Sequence, residues 1–308
     1  MAARILVIGG TGLVGNALVR RWTACGAVVA AATYHAHPSP DFRRLDMQDE
    51  AAVKAALAET KPDLVAVPAA NPFVDYCETH PAETRRVNVD GTLNVARAAA
   101  AAGARMIFFS SDYVFDGRKG VYKEEDPVSP INEYGRQKAE TEAGVMAASA
   151  DNLVIRTSGA YGWQWEPKNF VLQLKAKLAA GERMKLAADL SYNPTAVENL
   201  AEVVVRLAEI GARGVFHAVG ADRLTRYDFA VKAARTFGLD ASLLEPVPSA
   251  LFASPTPRPQ SSSLRTDKAV AAAGVALWGA DEGLARMKAQ EPQWREYAKR
   301  LPALSIKK

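Results

Sequence analysis

The chain has 308 residues, of which 49% are hydrophobic and 23% are charged, and its formal net charge is +4. This length and composition exclude a disordered or fibrous protein and are typical of a globular protein with two lobes. The charge is small and the basic residues are scattered, which is compatible with an anionic small-molecule substrate and indicates no nucleic-acid partner.

Several whole-chain features predict the compartment. The two cysteines, Cys25 and Cys77, are too few for a disulfide framework or a cysteine metal site. The first residues lead directly into an apolar strand pattern without a signal-peptide pattern, and no apolar run reaches membrane-spanning length. We therefore expect a cytoplasmic protein with no membrane association and no bound metal.

A glycine-rich turn follows the first apolar run of the chain. Residues 4–8 are typical of a buried parallel strand, residues 9–15 read Gly-Gly-Thr-Gly-Leu-Val-Gly, and the spacing after them is helical. Such glycines permit a tight turn and a close approach of pyrophosphate, and a helix N-terminus presents free N–H groups to the phosphates. An ordinary glycine turn is the less favoured alternative. The pattern predicts dinucleotide binding by Gly9, Thr11, Gly12, Leu13, Val14 and Gly15.

Strand-like and helix-like segments alternate through the first half of the chain. The patterns predict strands at 27–32, 62–67 and 105–111, and helices at 50–60 and 81–102. Alternation of this kind indicates a parallel sheet with helices on both faces, whose ligands bind beyond the carboxyl ends of the strands. We predict an α/β fold, a Rossmann-type doubly wound parallel sheet with a smaller, mostly C-terminal substrate-binding lobe.

The pattern is looser after about residue 160. An amphipathic helix is predicted at 168–181 and a further strand at 215–219, and prolines between 246 and 259 indicate an irregular region. We predict a dinucleotide-binding domain over residues 1–162, to which about 195–221 returns. Residues 163–308 are expected to form mainly the substrate-binding lobe.

Three side chains have the order and spacing of a carbonyl-reducing site. Ser111 ends the strand predicted at 105–111, and Tyr134 and Lys138 are four residues apart, on one face of a helix. A neighbouring ammonium favours the phenolate and lowers the pKa of a tyrosine, which suits a proton donor or acceptor. Such a pair also occurs by chance on solvated helices, and the alternative for Ser111 is a strand-end cap.

The end of the second predicted strand bears on the choice of cofactor. NAD sites often have an acidic residue there, but this chain has His35 in the segment Thr-Tyr-His-Ala-His and no carboxylate. Arg43 and Arg44 follow and are candidates to pair with a 2′-phosphate. A basic loop that faces water is an equally good interpretation. We expect NADPH, with NADH possible.

The joint motif set resembles a known family. The glycine turn, Asn-Val-Asp-Gly-Thr at 88–92 and Tyr-x-x-x-Lys resemble the extended short-chain dehydrogenase/reductases. A narrower resemblance, to the dTDP-4-dehydrorhamnose reductase family, rests on four segments and on Asn-Pro-Thr at 193–195. The four segments are Val-Asp-Tyr-Cys-Glu (74–78), Ser-Asp-Tyr-Val-Phe-Asp-Gly (111–117), Pro-Ile-Asn-Glu-Tyr-Gly-Arg-Gln-Lys (130–138) and Arg-Pro-Gln-Ser-Ser-Ser-Leu (258–264).

This resemblance implies a reaction and a set of roles. NAD(P)H delivers a hydride to the 4-keto carbon of a nucleotide-linked deoxysugar. Tyr134 protonates the oxygen, Lys138 lowers the pKa of Tyr134 and binds the nicotinamide ribose, and Ser111 bonds the substrate oxygen. Asn88 supports a water path to Lys138, with a structural amide as its alternative. The residues after the third predicted strand, Ala69 and Ala70, are placed at the cofactor, as is Asp46 at the adenine.

The predicted substrate contacts are less specific. The resemblance places Asp112 near the substrate and makes Arg258 a candidate for the substrate diphosphate. The candidate contacts are Asp112, Tyr113, Trp163, Asn169 and Arg258. Sheet-edge packing is the alternative for Asp112 and Tyr113, and packing of the lobe is equally favoured for Trp163. The histidines His80 and His217 lack metal-ligand spacing and are expected to be structural.

Two departures from the family concern the substrate side of the site. Pro68 follows Val67 where the family has Asn-Ala-Ala after the third strand, and Gly159 stands where the family has a tryptophan. Dehydration is disfavoured, because Tyr113 follows Asp112 where dehydratases have a second carboxylate. Epimerisation stays open. A non-catalytic NADP-binding regulatory subunit, like the beta subunit of methionine adenosyltransferase, is the alternative outside enzymes, and a homodimer is possible.

Overall fold

The computed structural model describes residues 2–33, 42–254 and 256–299. The strands of these residues are β1 (Arg4–Ile8), β2 (Val28–Thr33), β3 (Phe42–Arg44), β4 (Leu64–Val67), β5 (Arg105–Ser111), β6 (Gly120–Tyr122), β7 (Leu153–Thr157), β8 (Ala160–Tyr161), β9 (Met184–Ala187), β10 (Ser191–Tyr192), β11 (Thr195–Ala196), β12 (Gly214–His217), β13 (Leu224–Thr225), β14 (Leu244–Val247) and β15 (Ser262–Leu264). The helices are α1 (Leu13–Ala24), α2 (Glu50–Thr60), α3 (Val74–Thr79), α4 (Pro81–Arg85), α5 (Thr92–Ala101), α6 (Glu133–Ala148), α7 (Phe170–Ala179), α8 (Val197–Glu209), α9 (Arg226–Phe237), α10 (Asp267–Ala273), α11 (Ala280–Ala289) and α12 (Glu291–Lys299).

A seven-stranded parallel sheet is the centre of the larger lobe. Its strands lie in the order β12-β7-β5-β4-β1-β2-β3, and every neighbouring pair is parallel. Strands β1, β4 and β5 are almost continuously apolar and buried, as expected for strands covered on both faces. The strand order reverses between β1 and β4, and ligands of such sheets bind at that crevice. The predicted fold class is confirmed.

Helices cover both faces of this sheet. On one face, α1 and α8 pack together and bury Leu18, Trp22, Leu200 and Val204 against the strands. On the other face, apolar residues of α2, α5 and α6 form a second buried cluster. Among the described residues, no helix is both long enough and apolar enough to cross a membrane.

Two elements differ from the sequence expectation. The segment predicted as one helix at 81–102 is α4, a π-helical turn over Arg86–Gly91, and α5. Gly91 lies against Met47, which a Cβ at position 91 would approach to 3.1 Å, so the turn packs tightly on the loop after β3. The short strand β3 was not predicted, since three residues are too few to show a pattern.

The smaller lobe has its own apolar core. Helices α7, α9 and α11 pack around the parallel pair β9–β14 and bury Phe229, Leu174 and Leu284. Between these parts of the chain, α8 lies on α1 and β12 forms the edge of the main sheet next to β7. The short strand β6, in the first half of the chain, pairs in parallel with β15, near the C-terminal end of the chain. The exact domain boundaries stay a prediction.

A buried ion pair links α6 to the main sheet. Arg156 on β7 donates from Nε and Nη2 to the two carboxylate oxygens of Glu142, at 2.9 and 2.7 Å. The same guanidinium lies beside His217 on β12, and together with burial it lowers the pKa of His217 to about 3. His217 is therefore neutral at physiological pH. Its Nδ1 lies 3.1 Å from the carbonyl oxygen of Arg265, as a structural histidine would.

We expect Glu142→Gln to destabilise the protein by about 3 kcal/mol, because it leaves the buried Arg156 charge without its counter-charge. Glu140→Gln is the matched control, since Glu140 is on the same helix but its pair with Arg85 is exposed. Urea unfolding of the two variants measures the difference. Equal and small losses of stability in both variants would contradict a structural role for the buried pair.

Candidate active site

The glycine turn after β1 has no room for side chains at two of its positions. Gly9 has a φ of +97°, and a Cβ there would lie 2.8 Å from the Ala69 nitrogen. A Cβ at Gly15 would lie 2.1 Å from the carbonyl oxygen of Gly9. Gly12 donates to that same oxygen at 2.9 Å and precedes the first turn of α1, which carries no acidic residue. The turn thus presents free helix N–H groups and a positive dipole end, as pyrophosphate binding requires.

The other predicted residues of this turn surround it. Leu13 and Val14 begin α1 and pack against the apolar cluster on one face of the sheet. Thr11 lies within the turn itself, and Ala69 and Ala70 follow β4, the strand next to β1. The Ala69 nitrogen donates to the carbonyl oxygen of Ile8 at 3.2 Å. The structure therefore brings the turn and the end of β4 together at one edge of the sheet.

The predicted adenosine side lies at the edge strand β3. Arg44 is opposite Thr33, at the end of β2, and Arg43 precedes it. The Arg43 guanidinium pairs with Glu59 at 2.5 Å. The Asp46 carboxylate accepts the Gln48 backbone N–H at 2.9 Å, which supports the alternative of a loop turn for this residue. His35 lies outside the described residues. Contacts of all four with a cofactor stay a prediction.

Ser111, Tyr134 and Lys138 meet where α6 crosses the carboxyl end of β5. The Lys138 ammonium donates to the carbonyl oxygen of Phe109 at 2.7 Å and lies 5.8 Å from the centre of the Tyr134 ring. Helix α6 approaches closely because position 135 is glycine, where a Cβ would lie 2.1 Å from the Tyr113 carbonyl oxygen. The Asn132 side chain caps this helix by accepting from the Gly135 N–H at 2.9 Å.

Burial controls the protonation of this cluster. It raises the pKa of Tyr134 well above its usual value, the Asp112 carboxyl adds to the rise, and the Ser111 hydroxyl opposes it. Burial also lowers the pKa of Lys138 to about 8, although Glu142 partly opposes this. The expected lowering of the Tyr134 pKa is therefore wrong in this structure, because burial has the largest effect on the phenol and raises its pKa. A neutral phenol can donate a proton but cannot accept one.

Asn88 is held by the loop that follows β4. Its side-chain oxygen accepts the Asn71 N–H at 2.7 Å, and its nitrogen donates to the Gln137 side chain at 2.9 Å. The π-helical turn places it 2% exposed between this loop and α6. These bonds join the loop after β4 to the helix that carries Tyr134 and Lys138. A water path from Asn88 to Lys138 stays a prediction.

Asp112 lies beneath Ser111 among three serine hydroxyls. One carboxylate oxygen accepts from Ser111 at 2.9 Å, and the other accepts from Ser158 at 2.8 Å and from Ser262. The residue is 3% exposed, and burial raises its pKa. The predicted direct contact of Asp112 with a substrate is disfavoured by this burial. The carboxyl group instead supports Ser111 and ties β5 to β15.

Tyr113 and Arg258 lie on the outer side of the cluster. The Tyr113 ring is edge-on to Tyr134, with the ring centres 6.1 Å apart. Burial raises the pKa of Tyr113, Asp112 adds to this, and the guanidinium groups of Arg258 and Arg226 oppose it. Arg258 donates from Nη2 to Asp75 at 2.9 Å, whereas its buried Nη1 has no hydrogen-bond partner among the described residues.

Two predicted substrate residues have structural contacts instead. The Trp163 indole donates to the carbonyl oxygen of Met287 at 2.7 Å and packs edge-on against Phe237, inside the smaller lobe. Of the two interpretations of Trp163, packing of the lobe is therefore supported. Asn169 caps α7 by accepting from Leu172 at 3.4 Å, and it donates to the Gly162 carbonyl oxygen. A substrate role for Asn169 has no support from these bonds.

Tyr192 and Arg226 were missed by the sequence analysis. Gly159, at a φ of +52°, leaves space that the Tyr192 ring occupies, since a Cβ there would lie 2.3 Å from Tyr192 Cε2. The Arg226 guanidinium lies over that ring, 4.8 Å from its centre. The unusual Gly159 was the only signal in the sequence, and it did not indicate which side chain fills the space. No cluster of His, Cys, Asp or Glu suited to a metal ion occurs among the described residues.

Comparison with known proteins decides the family. The model of the RmlD substrate binding domain matches residues 3–291. The chain belongs to this family. It is 33% identical to the dTDP-4-dehydrorhamnose reductase of Mycolicibacterium smegmatis, over 88% of this chain and 81% of that protein. It is 32% identical to the beta subunit of methionine adenosyltransferase 2 of Bos taurus, over 79% of this chain and 75% of that protein.

Solved structures of this family share the fold. A dTDP-4-dehydrorhamnose reductase from Clostridium acetobutylicum superimposes with a TM-score of 0.85 at 29% identity, over 94% of this chain and 99% of that one. A Bacillus anthracis enzyme of the same name, in complex with NADP, gives a TM-score of 0.86 at 24% identity, over 94% of this chain and all (100%) of that one. The expectation of an extended short-chain dehydrogenase/reductase is confirmed.

The buried ammonium of Lys138 predicts a pH-dependent stability. Its pKa rises from about 8 in the folded protein to 10.5 in the unfolded chain, so the unfolded chain binds more protons between these values. Below pH 8, we expect the free energy of unfolding of Lys138→Met to exceed that of the original protein by about 3 kcal/mol. This advantage should shrink as the pH rises from 8 to 10.5.

Urea unfolding at several pH values measures this difference. Lys54→Met is the control, because Lys54 is exposed on α2 and should show no such trend. A Lys138→Met advantage that stays constant with pH would show that the ammonium carries no desolvation cost.

Proposed function

We propose that this protein is an NADPH-dependent reductase of a nucleotide-linked 4-keto-6-deoxy sugar. The observation that carries the proposal is the meeting of Ser111, Tyr134 and Lys138 at the sheet edge where the glycine turn lies. A phenol that donates a proton and a hydroxyl that holds an oxygen are what reduction of a carbonyl needs. The family relationship supports a sugar nucleotide as the substrate.

The residues present fit a nicotinamide dinucleotide. The pyrophosphate would lie on the N–H groups at the start of α1, where Gly9 and Gly15 leave only backbone. When bound, the reduced nicotinamide supplies the hydride. Lys138 would hold the nicotinamide ribose, because its ammonium is fixed by Phe109 and retains donors for a further acceptor.

The proton in this reaction would come from Tyr134. Its raised pKa keeps the phenol protonated at neutral pH, so it is ready to donate to a developing alkoxide. Ser111 would bond the same oxygen. Its hydroxyl accepts the Tyr113 N–H at 3.2 Å and donates its single proton to Asp112 at 2.9 Å, so bonding the substrate oxygen requires this O–H to turn away from Asp112. Lys138 would stabilise the phenolate that remains after the transfer.

Neighbouring chemistries are less well supported. Dehydration requires a second carboxylate after Asp112, and Tyr113 stands there instead, edge-on to Tyr134. An epimerase would use the same three residues, so that alternative is separated from reduction only by consumption of NADPH. The sugar itself is undefined, because Gly159 and Pro68 change the site on the substrate side.

We expect Tyr134→Phe to lower kcat for NADPH-dependent reduction of dTDP-4-dehydrorhamnose by about 10²–10⁴-fold, because the proton donor is lost while the ring remains. Absorbance of NADPH measures the rate. Tyr76→Phe is the matched control, since the Tyr76 hydroxyl is exposed and donates to Glu83 at 2.9 Å. Normal turnover by the Tyr134→Phe variant would exclude Tyr134 as the acid.

We expect the double variant Arg43→Gln, Arg44→Gln to raise the KM for NADPH about tenfold and to leave the KM for NADH within about twofold. The reason is that only NADPH carries a 2′-phosphate for guanidinium groups to pair with. Arg97→Gln, an exposed change on α5, is the control. An equal rise in KM for both cofactors would show that these arginines do not bind the 2′-phosphate.

A regulatory subunit is the second candidate. The observation in its favour is the 32% identity to the beta subunit of methionine adenosyltransferase 2, which covers 79% of this chain. Purified protein that binds NADPH but reduces no keto sugar nucleotide, and that changes the kinetics of a methionine adenosyltransferase catalytic subunit, would support this candidate. Turnover that depends on Tyr134 would support the reductase.

A further inference from the structure

Arg226 is a partly buried cation that has no counter-charge among the described residues. It begins α9, and its guanidinium lies over the rings of Phe170 and Tyr192, 4.7 and 4.8 Å from their centres. Within the described ranges, no carboxylate or carbonyl group pairs with it. Stacking occupies the face of a guanidinium, and of the five N–H donors at its edge the Tyr192 hydroxyl can accept only a part. The other donors are therefore available to a ligand.

The Tyr192 hydroxyl lies next to this guanidinium, which opposes the rise that burial causes in the pKa of Tyr192. It is buried and has no hydrogen-bond partner among the described residues. Burial raises the pKa of Tyr192, so the phenol keeps its proton and acts as a donor. An unpaired buried hydroxyl is costly unless a ligand or water completes it. The ring is fixed in place because it fills the space beside Gly159.

Arg258 is a third group with an unused donor. Burial raises the pKa of the Tyr113 phenol, and the charges of both Arg258 and Arg226 oppose this rise, so both guanidiniums act on the same phenol. Arg258 has one nitrogen on Asp75 and the other buried without a partner. Tyr113 in turn contacts Tyr134 edge-on. The charges of two guanidiniums thus act on a phenol whose ring contacts the proposed proton donor.

We propose that Arg226 and Tyr192 form an oxyanion-binding subsite of the substrate cleft, which acts beside Arg258. The ligand is a group with several negatively charged oxygens, because it must accept from guanidinium and phenol donors together. A diphosphate and a sugar carboxylate share this chemistry. The substrate class in this proposal rests on the proposed function. The positions of the donor groups come from the structure alone.

Binding of nucleotides to the NADPH-loaded full-length protein tests this subsite without any turnover. Titration calorimetry would compare dTDP with thymidine, and UDP-glucuronate with UDP-glucose. We expect Arg226→Gln to raise the Kd for dTDP at least tenfold and Tyr192→Phe to raise it about threefold. Thymidine, which has no phosphate, should not distinguish the variants.

Two substitutions on the same helix serve as controls. Arg235→Gln removes an exposed guanidinium from the last turn of α9, and Tyr227→Phe removes a hydroxyl next to Arg226. Both should leave the Kd for dTDP within about twofold. Thermal unfolding of all four variants establishes that each is folded before its binding is compared.

The outcomes separate the sources of the oxyanion. A loss of affinity for dTDP assigns the subsite to the diphosphate, whereas a loss confined to UDP-glucuronate assigns it to a sugar carboxylate. Unchanged affinity of folded Arg226→Gln for every ligand, or no binding of any of them by the original protein, overturns the proposal. A protein that binds dTDP through Arg226 but reduces no keto sugar would contradict only the proposed reaction.

Discussion

The close approach of α6 to the end of β5 is the constraint on which the active-site geometry depends. Position 135 has no room for a side chain beside the Tyr113 carbonyl, so the helix lies directly on the strand end. One residue before it is Tyr134, and one turn after Tyr134 is Lys138, whose ammonium reaches the Phe109 carbonyl. A larger residue at 135 would lift both side chains away from Ser111. The chemistry therefore depends on a backbone contact as much as on the reacting groups.

A second constraint joins distant parts of the chain at the same place. Asp112 collects hydroxyls from Ser111, Ser158 and Ser262, and the last of these follows it by 150 residues. A buried carboxyl group must find such donors, because its desolvation is otherwise costly. The strand β15 is thereby fixed against the turn after β5. The loop that carries Arg258 lies directly before this strand, so its position is tied to the same carboxyl group.

Local patterns in the sequence predicted much of the sheet and the reacting groups. The turn at Gly9–Gly15 and the spacing of Tyr134 and Lys138 are short-range features, and their geometry follows from neighbouring residues. Features that depend on packing between distant segments were not predictable in this way. The strand β3, the π-helical turn around Asn88 and the guanidinium of Arg226 are of this kind. The pKa of Tyr134 differed for the same reason, because its desolvation comes from the whole fold.

The Tyr192 ring occupies the space beside Gly159, and this limits which substitutions the two positions can accept. A side chain at 159 and the aromatic ring at 192 would occupy the same volume, so a residue larger than glycine at 159 requires a smaller residue at 192. The reverse does not hold, because a smaller residue at 192 leaves Gly159 undisturbed. The two positions are therefore epistatic in one direction, and the order of two substitutions there decides whether the intermediate protein is strained.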